Sequence, residues 1–62
     1  MIFVEIDNGY VRILNEQGQY NGVHLNGNDW VSAQVNGDTV FAIRKDGYKY
    51  LFDKNGNMIR NV

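Results

Sequence analysis

Apolar and polar residues alternate in short runs along this chain, and glycines interrupt the runs at nearly regular distances. Ile2, Val4 and Ile6 fall on one side of an extended backbone; further on, Val31, Ala33 and Val35 do the same. A period of two marks a strand with one buried face. Gly9, Gly18, Gly27, Gly37, Gly47 and Gly56 follow one another at intervals of 9, 9, 10, 10 and 9 residues, and all but Gly18 come directly after Asn or Asp. Asn-Gly and Asp-Gly favour two-residue type I′ hairpins, because glycine takes positive φ freely and Asn and Asp tolerate it. The contexts at 15–18, 44–47 and 53–56 fit a type I turn closed by a glycine bulge. Strands are therefore predicted at 2–7, 10–15, 19–25, 30–35, 39–45, 48–53 and 58–62. No turn-free window carries a helical apolar period. The expected fold is all-β, an antiparallel meander of six or seven short strands, either closed into a small barrel or left as an open sheet.

The sequence also repeats itself. Shifted by 38 positions, residues 2–20 align without a gap on 40–58: Phe3 falls on Phe41, Gly9-Tyr10 on Gly47-Tyr48, and Gly18 on Gly56. This predicts one domain over 1–62, made of two related hairpin units, 1–20 and 39–62, with a central strand at 29–36. Repeats of this kind point to stacked β units that need a neighbour to cover a face. The stretch 44–59, RKDGYKYLFDKNGNMI, resembles the hairpin of bacterial WG-type β repeats, with its Lys-Asp-Gly turn, aromatic and aliphatic strand, Asp-Lys-x-Gly turn and second aliphatic strand. Tyr50 stands where that family's glycine would be. The resemblance implies a binding and scaffolding role and brings no catalytic residues.

Composition narrows the chemistry. The chain has 62 residues, no cysteine and no proline, and 44% of its residues are apolar. Without cysteine there is no disulfide framework, thiol nucleophile or cysteine zinc site, and the single His24 cannot supply the imidazoles of a catalytic zinc centre. A Ser32/His24/Asp29 grouping has no nucleophile-elbow spacing. Asp53-Lys54-Asn55-Gly56-Asn57 begins like a calcium loop but lacks the closing acid. The expectation is a non-enzymatic protein without cofactor or metal. No apolar run approaches the length of a membrane span and the acidic start is unlike a signal peptide, so a cytoplasmic chain and no membrane partner are expected. Opening at a Met inside a strand, it reads as a complete small gene product of the accessory or phage-encoded kind.

Charge is uneven. Residues 1–38 sum to −4 and residues 39–62 to +3, a polarity that could steer a partner or drive self-association. On strict alternation Trp30 shares a face with Ser32 and Gln34, where a large aromatic either covers the sheet or anchors a partner. Tyr48, Tyr50 and Phe52 form an aromatic stripe beside Arg44, Lys45 and Lys49. The stripe serves as half of the core or as a stacking platform for bases, with the cations on phosphates. The candidate partner-binding residues are thus Trp30, Tyr48, Tyr50, Arg44, Lys45 and Lys49. The leading expectation is a protein-binding modulator or inhibitor acting through an exposed strand edge or aromatic face, with another protein or a second copy of itself as partner, since no proline protects the edges. The alternative is a small barrel that binds single-stranded nucleic acid.

Overall fold

The computed structural model describes all 62 residues, folded into seven antiparallel strands with no helix. The strands are β1 (Phe3–Asp7), β2 (Tyr10–Leu14), β3 (Tyr20–His24), β4 (Trp30–Asn36), β5 (Thr39–Arg44), β6 (Lys49–Asp53) and β7 (Met58–Asn61). They form two meanders, a three-stranded sheet in the order β1-β2-β3 and a four-stranded sheet in the order β4-β5-β6-β7. The barrel is not closed: β1 runs alongside β4 without a ladder of hydrogen bonds, and the two sheets face each other across a shared core. The central strand at 30–36 is therefore an edge of the second sheet. No helix is long and apolar enough to cross a membrane.

The turns explain why the chain meanders. Asp7 pairs with Tyr10 across Asn8 and Gly9, both at positive φ, which is the type I′ hairpin expected of Asn-Gly. Between β4 and β5, Asn36 pairs with Thr39, and only Gly37 of the two intervening residues has positive φ. Gly37 thus takes the first position of a type II′ turn, with Asn36 as the last strand residue. The loops at 15–19, 44–48 and 53–57 share one construction, in which the first residue accepts the glycine amide and donates to a carbonyl one residue beyond it (Gly18 to Asn15, Gly47 to Arg44, Gly56 to Asp53).

The two hairpins related in sequence are not related in register. Glu5 pairs with Arg12 in the first, so a faithful repeat would pair Ile43 with Tyr50; instead Ile43 pairs with Lys49. The longer turn shifts the partner strand by one residue, and in a strand one residue exchanges the two faces. Val11 and Ile13 consequently point into the core, while their counterparts Lys49 and Leu51 point outward and Tyr50 and Phe52 point inward.

Seven residues make up the core: Val11, Ile13 and Leu25 from the first half, and Trp30, Val40, Ala42 and Phe52 from the second. Ile2, Val4, Val23, Ala33 and Tyr50 pack around them. Trp30 departs from the simple alternation. Trp30 pairs with Arg44 and Ser32 with Ile43, so Val31 is an extra residue on β4, a β-bulge. The bulge reverses the facing of everything before it: Trp30 turns inward and is 5% exposed, whereas Val31 is 59% exposed. Trp30 is a core residue, on the inner face of the sheet and not on the face of Ser32 and Gln34 where strict alternation put it.

Candidate binding surfaces

Three of the six residues singled out in the sequence meet around one cleft. Trp30, Arg44 and Tyr50 line a recess of about 270 Å³, together with Asn26, Phe52, Asn57 and Met58. Its floor is aromatic: the Trp30 ring stands edge-on to Tyr50 at 5.8 Å and to Phe52 at 5.5 Å, both at 84°. Edge-to-face pairs of this kind are favourable because the positive rim of one ring meets the negative face of another. The indole Nε1 is satisfied by the Asn26 carbonyl at 2.8 Å. Arg44 closes one side, with Nη2 and Nε donating to a single Asp29 oxygen at 2.8 and 3.1 Å and Nη2 lying 3.7 Å from Asp46. Its pKa is raised above the usual value, first by the bond to Asp29 and then by the Tyr50 hydroxyl. This guanidinium is already committed, and the recess is smaller than most small-molecule pockets, which run from about 300 to 1,000 Å³.

The remaining three lie elsewhere. Lys45 and Tyr48 sit at the β5–β6 turn, Tyr48 60% exposed, and Lys49 points to the opposite face of β6 from Tyr50. The stripe of Tyr48, Tyr50 and Phe52 runs from solvent into the core and offers only its outer end for stacking. Lys45, Lys49, Lys54 and Arg60 have no carboxylate within ion-pair distance. The charge polarity along the chain softens in three dimensions, because Asp29 and Asp38 belong with the second sheet. Residues 1–28 carry Glu5, Asp7 and Glu16 against Arg12, and residues 29–62 carry one positive charge net.

A second surface lies on the outer face of the first sheet. Tyr10, Arg12, Tyr20 and His24 line an open groove of about 260 Å³. The Arg12 guanidinium lies over the Tyr20 ring at 5.7 Å and is 3.3 to 3.4 Å from Asp7 and Glu5. His24 Nδ1 lies 3.1 Å from both the Tyr20 hydroxyl and the Gly22 carbonyl. A protonated Nδ1 donates to the carbonyl, whereas a bare one accepts from the hydroxyl. Tyr10 and Arg12 alternate on one strand, which could have marked this face in the sequence. Tyr20 joins them as the partner of Leu14 and His24 as the partner of Arg12, with two extra residues on β3 between these pairings.

The outer face of the second sheet is the third surface. Because Val40, Ala42 and Phe52 are buried, their neighbours Phe41, Ile43 and Leu51 face outward, half-buried, with Phe41 and Leu51 directly opposite each other. Lys49 pairs with Ile43 and Arg60 with Leu51, which places both cations beside the apolar row. At the sheet's edge, every residue of β7 is exposed. No three His, Asp or Glu side chains gather into a metal-ligand set. No family model, curated protein or solved structure matches the chain.

Proposed function

We propose that this chain is a small protein-binding module that modulates a larger protein and works by contact rather than by catalysis. One observation carries the reading: Phe41, Ile43 and Leu51 form an apolar row on the outer face of the second sheet, with Lys49 and Arg60 beside it. Apolar surface gathered on sheet faces and rimmed by charge is the usual mark of a protein interface. Phe41, Ile43 and Leu51 form the centre of the surface, Lys49 and Arg60 its rim, and the bare edge of β7 offers a strand-addition route beside it. Trp30 and Tyr50 hold the sheet from beneath and do not touch the partner. The likeness of 44–59 to WG-type hairpins, a family of binding repeats, agrees with this role.

Affinity capture with the immobilised protein, followed by titration with the purified partner, tests the reading. Phe41→Gln and Leu51→Gln are expected to weaken binding at least tenfold while Glu16→Gln leaves it intact. A chain that stays monomeric at all concentrations and captures nothing would refute the proposal.

A second reading, single-stranded nucleic acid, draws on the unpaired Lys45, Lys49, Lys54 and Arg60 together with exposed Tyr48. It expects oligonucleotide binding that weakens steeply with salt, and flat polarisation titrations at low salt would end it.

A further inference from the structure

The two outer faces of the molecule complement each other. On the second sheet the row of Phe41, Ile43 and Leu51 is flanked by Lys49 and Arg60, and neither cation has an ion-pair partner within the chain. Asp53, the acid at the end of β6, is turned onto its own loop, where its Oδ1 accepts the amides of Asn55 and Asn57. On the first sheet, Phe3 pairs with Leu14 and Asp7 with Tyr10, so apolar and aromatic groups again face outward. Glu5 and Asp7 stand among them, with Arg12 as the one cation between two acids. One face is therefore apolar with a positive rim, the other apolar and aromatic with a negative excess.

We infer that the outer face of the first sheet docks on the outer face of the second sheet of another copy of this chain. The inference rests on the protein-binding reading above and names its partner. A two-fold contact of either face with itself would bring like charges together, Lys49 and Arg60 in one case, Glu5 and Asp7 in the other. Head-to-tail stacking brings opposite charges together at the rim and covers both apolar centres at once. Such a contact is heterologous, with different patches on the two copies, so a stack of any length keeps one free face of each kind, one at either end. Assembly then grows with concentration past the dimer unless the rotation closes a ring.

Sedimentation of the wild type and of two charge-reversed variants tests this. The wild type is expected to rise in mass with concentration above the 7.1 kDa of a single chain, and to fall back toward it at high salt. Lys49→Glu with Arg60→Glu makes both faces acidic; Glu5→Lys with Asp7→Lys makes both basic. Each variant alone is expected to remain at the single-chain mass, and an equimolar mixture of the two is expected to associate again. Circular dichroism establishes that each is folded. If the first-sheet variant does not fold, Glu5→Gln alone takes its place, with at least a threefold weakening of self-association expected. A wild type at single-chain mass throughout, or a folded pair of variants that fails to associate on mixing, overturns the inference. The protein-binding reading falls separately, when capture also returns nothing.

Discussion

The backbone amide of Trp30 donates to the carbonyl of Gly9 at 3.0 Å, tying the first hairpin turn to the start of the second sheet. Gly9 has φ +84°, and a Cβ placed on it would overlap the backbone carbonyl of Asn28. Two separate constraints thus meet at one residue. Only glycine takes this φ without strain, and only a residue without a side chain lets the loop before β4 come this close.

Gly9→Ala is accordingly expected to unfold the protein, or nearly so, in a urea or thermal melt followed by circular dichroism. Gly18 has φ +78° but open space where its Cβ would be. Gly18→Ala carries the conformational cost alone, about 1–2 kcal/mol. Equal losses for the two variants would mean that the approach of Asn28 to Gly9 contributes nothing.

Trp30 is the one tryptophan and lies 5% exposed. Its fluorescence is expected to be blue-shifted in the folded chain and to move to the red on unfolding, in one transition with the circular dichroism signal. Trp30→Phe keeps most of the aromatic packing but leaves the Asn26 carbonyl without its 2.8 Å donor. That loss is expected to cost about 1–3 kcal/mol, read as a shift of the urea midpoint. A partner bound through Trp30 itself would quench the folded-state emission, whereas a partner on the outer face of the second sheet leaves it unchanged.

Much of this architecture was legible in the spacing of glycines, because turn chemistry is local: Asn8-Gly9 specifies its own hairpin whatever surrounds it. Strand number and antiparallel order followed from that. What escaped the sequence were the irregularities that decide which face a side chain takes. The 38-residue repeat aligns Val11 with Lys49, yet one points into the core and the other outward, because the second turn is longer and moves the register by one. A different irregularity, the bulge at Val31, placed Trp30 inside and not on the face of Ser32 and Gln34. Of the candidate binding residues, Tyr50 packs edge-to-face with Trp30 and Arg44 is bonded to Asp29. The apolar row of Phe41, Ile43 and Leu51 was hidden in strands whose two faces are both apolar, so alternation could not distinguish inside from outside.

The bulge makes a direct prediction of its own. Val31 is exposed whereas Ala33, two residues along the same strand, packs against the core. Val31→Lys is expected to change stability by less than about 0.5 kcal/mol, as an exposed surface substitution does. Ala33→Lys is expected to destabilise severely, since it forces a long cation against Val40 and Ala42. Equally severe losses at the two positions would place Val31 inside with Ala33 and Trp30 outside, as the unbroken alternation has it.

Asp53 contributes to the acid limb of stability. Its Oδ1 accepts the amides of Asn55 at 2.8 Å and Asn57 at 3.0 Å, and its pKa lies below the usual value near 3.8, chiefly because of the bond from Asn57. A folded-state pKa below the unfolded one means that the stabilisation is complete above about 3.8 and is lost as pH falls through the lower folded-state value. The equivalent position in the β2–β3 loop is Asn15, whose Oδ1 accepts Gln17 and Gln19 amides in the same way without carrying a charge. Asp53→Asn is therefore expected to keep the turn, hold most of the stability at neutral pH and flatten its decline in acid. Urea midpoints measured from neutral pH down to about pH 2 separate the two chains, and parallel curves would show that another carboxylate sets the acid limb.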